Sequence, residues 1–295
     1  MISISDSIQK EFYKNYNPDH WLYKISRLKN CHDNYDEIEK ILKHDLANVS
    51  DEDYKRSLRT EMHFLYFQMV ETLFEIIFAV SKHDNRNLWH TLTFSDWRNN
   101  YKEISDLSIA SNLFTNKIKT IIGDNEVEIP LLRWIFYFIY PSRMTNEDWK
   151  NNLDNIQRLL LFFSKDFSDR GEYNAYKHSL RFYNSKFSMS IGITGANSMF
   201  NIGTSDDSIV YLEEHKGKPG EPGRVAQTIK PFDFERDCQC CLIIYSMIKN
   251  IIETRKYSLL GELQGKEFDF STFKDINIIE DIIPKTGVTK SSITI

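Results

Sequence analysis

The chain has 295 residues, 41% hydrophobic and 27% charged, with only 11 Gly and 7 Pro. That composition excludes a disordered or collagen-like chain, and so few breakers beside 20 Phe and 15 Tyr favour long packed helices over a many-turned β architecture. A net charge of −5 excludes a protein that grips nucleic acid through an overall basic field, so any contact with RNA or a nucleotide has to come from a local patch.

The first 49 residues read as a separate run of short helices, with Ile38, Ile41 and Leu42 at helical spacing. Ser50 suits an N-cap, and Asp51, Glu52 and Asp53 behind it favour the positive end of a helix dipole. From there nothing breaks a helix until about Ser81, a span of roughly 45 Å at 1.5 Å per residue. Its stretch 62–80 is apolar nearly all round, which places it at the centre of a bundle. Gln68, Glu71 and Glu75 interrupt that stretch, and no apolar run reaches ~18 uncharged residues, which argues against a membrane span.

Shorter helices are expected over 84–145. Ser95 caps one that begins Asp96-Trp97, and another runs from about 129 to 140 and stops at Pro141. Thr145 caps a strong helix with the stripe Trp149, Leu153, Ile156, Leu160 and Phe163. After a break at Ser168-Asp169, a further helix is expected from Arg170 to about Phe182. Then the period changes to two: Phe187, Met189, Ile191 and Ile193 alternate with small polar residues, as in a half-buried strand. Strands at 208–213 and 224–230, joined by a turn at 216–223, complete a small sheet. Phe234, Cys238, Cys241, Tyr245, Ile248 and Ile252 return the chain to helix, and 261–295 reads as an irregular tail. The expected fold is mainly α: a multi-helix bundle over 50–260 with a small antiparallel β-sheet inserted at about 186–230.

Three of the four cysteines crowd into Cys238, Cys240 and Cys241, poor spacing for a disulfide framework. With no signal peptide, reduced thiols in the cytoplasm are the simpler expectation. At i, i+2 and i+3 of a helix these thiols cannot all reach one metal, so they read as small buried hydrophobes. No cofactor motif is present, and no metal or cofactor is assigned.

One segment carries candidate chemistry. On a continuous helix Arg170, Asn174, Lys177, His178 and Arg181 share one face at steps of three and four. Such an edge is either a solvated helix face or a site in which Arg170, Lys177 and Arg181 hold a phosphate. In the second reading His178 is general acid or base and Asn174 orients it. A second stripe, Glu61, Gln68, Glu71 and Glu75, is either the wet face of the long helix or a partner for Lys177 and Arg181.

Asn174-Ala-Tyr-Lys177-His178, followed by Leu and Arg, resembles the Asn-x-x-Lys-His signature of HEPN-like helical proteins. The resemblance implies a helical bundle and, in many members, metal-independent RNA cleavage in bacterial toxin–antitoxin or defence systems, commonly through a site shared across a homodimer. Other members bind without catalysis, so a non-catalytic protein- or ligand-binding module is the alternative. The strict ribonuclease pattern places four to six residues between Arg and His, whereas seven separate Arg170 from His178. That pattern occurs at Arg27–His32 and Arg56–His63, close to the roughly one match expected by chance.

Overall fold

A computed structural model describes residues 4–37, 40, 50–81, 88–107, 112–122, 125–138, 144–178, 181–192, 199–215, 224–260, 270–273 and 291–294. The protein is mainly α: a helical bundle with a small antiparallel β-sheet. The chain divides into two compact units, one built from 1–23, 68–169 and 242–278, the other from 24–67, 170–241 and 279–295.

The first unit holds α1 (Ile4–Asn15), α4 (Leu88–Thr93), α5 (Trp97–Ser105), α6 (Leu131–Tyr137) and α7 (Asn146–Ser168). It also takes residues 68–81 of α3 (Asp51–Ser81) and 242–260 of α9 (Phe234–Leu260). Thr145 caps α7 as expected, its hydroxyl accepting from the Asp148 amide, and Trp149, Ile156, Leu160 and Phe163 are buried. Asp96 rather than Ser95 caps α5, accepting from the Arg98 amide. A hairpin of β1 (Lys117–Ile122) and β2 (Asn125–Pro130) stands where only helices were expected, and α6 follows it, shorter than the expected 129–140 helix. Ile118, Thr120 and Ile122 alternate with Lys117, Lys119 and Ile121, a β-branched run that pairs more readily than it coils.

Inside this unit two polar side chains do structural work. Asn152, fully buried on α7, exchanges hydrogen bonds with the Tyr137 hydroxyl and accepts from the Phe273 amide at 2.6 Å. Asn250 and Asn155 hold the backbone of Ser271 and Phe273, so this part of the expected irregular tail is tied down by amides. Arg255, also fully buried, donates to the carbonyls of Trp134, Ile135 and Ile251. It serves the C-terminal end of α6, whose cap residue Phe138 sits at φ 49.

The second unit holds residues 24–33 of α2 (Asp19–Asp33), residues 51–67 of α3, α8 (Gly171–Lys177) and the start of α9. Its sheet has the order β3-β4-β5-β6, all antiparallel, from β3 (Phe182–Gly192), β4 (Met199–His215), β5 (Arg224–Pro231) and β6 (Ser291–Thr294). The sheet thus begins before the expected 186 and recruits an edge strand from the C-terminal tail. Ser50 caps α3 as expected, accepting from the Asp53 amide at 3.1 Å. Most of the helix expected over 36–46, and the turn at 216–223, lie outside the described residues.

Pairing gives the sheet two faces. Ile209, Tyr211, Ala226 and Thr228 are buried on one, while Tyr183, Leu212 and Val225 are exposed on the other. α8 packs against the buried face so closely that a Cβ on Gly171 would lie 2.7 Å from the Tyr211 ring. An 18-residue window of α3 is apolar enough to cross a membrane, and 72% of it is buried inside the protein. Glu61 and Gln68 are exposed on α3 and Glu71 and Glu75 half-buried, so that stripe is the helix's wetter side.

Candidate functional site

The expected helix over 170–182 is interrupted. α8 ends at Lys177, His178 is its C-cap, and Phe182 already pairs with Tyr211 in β3–β4. The gain from sheet pairing outweighs the modest local preference of 178–182 for helix. The five candidate residues therefore do not share one helical edge. Arg170 is the N-cap of α8 and is buried, 6% exposed, so it leaves the proposed edge. Asn174, Lys177 and His178 are exposed at the C-terminal end of α8, and Arg181 is exposed just before β3. No hydrogen bond joins Asn174 to the His178 imidazole among the described residues. Lys177 Nζ lies 4.3 Å over the Tyr173 ring, which holds the ammonium at the surface.

Arg181 connects this corner to a groove on the exposed face of the sheet. The groove, of about 600 Å³, is lined by Arg181, Tyr183, Leu212, Val225 and Gln227. Tyr183 is 56% exposed, and its hydroxyl accepts from Gln227 at 2.8 Å. A cation, a side-chain amide and an exposed ring in one groove can bind a planar or anionic ligand.

Beneath α8 lies a cluster that the sequence reading did not assemble. His63 on α3 is 3% exposed, and its Nδ1 lies 2.7 Å from Asp237 Oδ2 on α9. Its Nε2 lies 3.6 Å from Glu172 Oε1 on α8, and the same oxygen meets Lys230 Nζ on β5 at 2.7 Å. Arg236 reaches the other Asp237 oxygen at 2.9 Å. Phe232 stacks on the imidazole, with centroids 4.6 Å apart. The sequence signal was there: a histidine inside the most apolar helix, and an aspartate beside Phe234 and Cys238 on the apolar stripe of α9. Both acids are fully buried and must be paired.

Burial alone would push the His63 imidazole down, but the Asp237 charge and hydrogen bond, then those of Glu172, outweigh it and raise it above the usual value. Burial would push the Glu172 carboxyl up, and Lys230 and His63 together hold it below the usual carboxylate range. A raised histidine stabilises the fold below its unfolded value, about 6.5, and that contribution is lost as pH rises through the folded value. A lowered glutamate stabilises above about 4.5 and is lost as pH falls through its folded value. Stability is therefore expected to peak between about pH 5 and 6.5 and to decline above neutrality. Urea titrations from pH 5.5 to 8.5 check this, and in H63Q the decline should shrink, leaving the part above about pH 8 that the buried thiols contribute.

The strict Arg–His spacing on α3 does not make a dyad. Arg56 pairs with Glu52 and Asp53 of its own helix, while His63 is buried among carboxylates. Cys238, Cys240 and Cys241 are buried, and burial pushes the Cys240 thiol up to about 12, so it stays protonated and a poor ligand or nucleophile. Among the described residues no group of three or more His, Cys, Asp or Glu side chains is placed to hold a metal ion. Comparison with family models, curated proteins and solved structures finds no match.

Proposed function

We propose that the protein binds RNA at the corner where α8 runs into β3. Asn174, Lys177, His178 and Arg181 supply phosphate and base contacts, and Tyr183 supplies a stacking surface. The observation that carries the reading is the exposure of these five side chains within ten residues of chain, with Arg181 leading into the groove on the sheet. Cations with an exposed aromatic ring suit single strands, where phosphate attraction and base stacking act together. The resemblance of 174–178 to the HEPN signature supports the same ligand. Where cleavage occurs, His178 is its acid–base group, and a second copy of the chain supplies what this corner lacks.

Fluorescence anisotropy with a single-stranded RNA tests the reading. K177A/R181A is expected to weaken binding about tenfold and to lower the slope of log affinity against log salt by roughly 0.7 per removed charge. H178A is expected to abolish any cleavage and to weaken binding less than K177A/R181A does. Wild-type affinity and salt slope in K177A/R181A would overturn the assignment.

A second reading has its own observation. Leu212 is 64% and Val225 43% exposed on the same sheet face, an apolar pair suited to a protein partner. L212E/V225E that releases a co-purifying protein while RNA binding stays unchanged would favour this non-catalytic module.

A further inference from the structure

α8 has seven residues, too few to hold a helix together in water without tertiary anchors. Two of its anchors are rings: Tyr173 stacks on Phe67 and Tyr176 on Phe64, with centroids 5.5 and 3.9 Å apart. The third is charged. Glu172 faces inward, fully buried, between Lys230 of β5 and His63 of α3.

The hydrogen-bonding capacity of His63 decides how firmly that third anchor holds. Both neighbours of the imidazole are carboxylates, which only accept. A neutral ring has one N–H and gives it to Asp237, at 2.7 Å the closer partner. Its Nε2 then turns a lone pair towards Glu172, an acceptor facing an acceptor. Only the imidazolium turns an N–H towards each acid at once, hydrogen-bonding Asp237 and meeting Glu172 at 3.6 Å as an ion pair. The charged groups around the ring are Asp237 and Arg236 from α9, Glu172 from α8 and Lys230 from β5, two of each sign. The rings of Phe232, Phe67 and Phe64 also lie against it.

We infer that Glu172 is the positioning residue of the α8 corner and that His63 is its proton-operated latch. With both ring nitrogens protonated, His63 draws Glu172 and hence α8 onto α3. When the Nε2 proton leaves, Lys230 alone holds Glu172 and α8 loosens, carrying Asn174, Lys177 and His178 with it. The consequence for RNA rests on the function proposed above, whereas the latch itself rests on the geometry alone.

Amide hydrogen exchange on the full chain, corrected for the intrinsic effect of pH, separates the two. Between pH 5.5 and 8.5 the amides of 173–178 are expected to open at least about tenfold more often, while those of β4 at 208–211 change less. In E172Q the α8 amides should be open throughout and indifferent to pH. In K230M, where the second hold is gone, the pH response should exceed that of the wild type. RNA affinity, measured in an H178A background, should fall with pH and become flat once E172Q is added. Should E172Q fail to fold, the wild-type and K230M profiles carry the test. Exchange in α8 that ignores pH, or that merely follows β4, would overturn the latch. Exchange that behaves as expected without RNA affinity at any pH would overturn the RNA reading and leave the latch standing.

Discussion

Replacing Asp237 with alanine is expected to destabilise the protein by about 3–5 kcal/mol, enough to consume much of the stability of an ordinary domain. The carboxylate is fully buried and serves two cations at once, His63 at 2.7 Å and Arg236 at 2.9 Å. Removing it leaves the arginine and the imidazole facing each other with no anion between them. The largest upward influence on the His63 imidazole is then gone, and Glu172 alone is left to oppose its burial. D237N keeps the shape and one acceptor but not the charge, so its loss should be smaller. Urea denaturation of the two variants at pH 6 checks the order, and equal losses would show that packing rather than charge holds this site.

The second large effect belongs to Arg255. R255M is expected to lower stability by about 2–4 kcal/mol, because three carbonyls lose a charged donor and methionine returns only part of the packing. The residue is fully buried, and its guanidinium bonds the carbonyls of Ile135 at 2.6 Å, Trp134 at 2.9 Å and Ile251 at 3.0 Å. Burial lowers its proton affinity to about 10, so it still carries its charge at neutral pH. Its planar head also lies 5.2 Å from the Phe138 ring centre. R255K tests the role of shape. A lysine keeps the charge but cannot present two parallel donors to adjacent carbonyls, so it should recover little of the loss. Thermal denaturation followed by circular dichroism reads both variants, and full stability in R255K would contradict the account.

Helix starts and long apolar stripes were legible in the sequence because they depend on local chemistry. Ser50 and Thr145 are side chains that accept from amides two or three residues on, and each does so. The stripe of α7 was visible for the same reason, although Asn152 takes a place in it that no pattern of apolar spacing assigns to an amide. What escaped was set by distant parts of the chain. The helix through 170–182 is shortened because Phe182 and Tyr183 find partners at Tyr211 and Val210. The β6 strand exists only because β5 offers an edge to residues some 65 positions later. The hairpin at 117–130 was missed although its β-branched alternation was in plain view, since its lysines also suit an exposed helix.

The candidate site was half legible for the same reason. Asn174, Lys177 and His178 lie close together in sequence, and their exposure follows from the turn they share. Arg170 looked equivalent by spacing, but α8 begins at it, and a cap residue does not lie on the helix's own stripe. The His63–Glu172–Asp237 cluster draws on positions up to 174 residues apart, so spacing could not reveal it. Its trace was a set of ionisable residues at positions that the surrounding apolar pattern marks as buried.

Ultraviolet crosslinking of a labelled single-stranded RNA to the full chain, followed by peptide mapping, asks whether RNA sits at the corner of α8 and β3. Adducts are expected within residues 174–183, with Tyr183 foremost, and are expected to be lost in K177A/R181A. Adducts confined to other segments, or a yield untouched by those two substitutions, would contradict that placement.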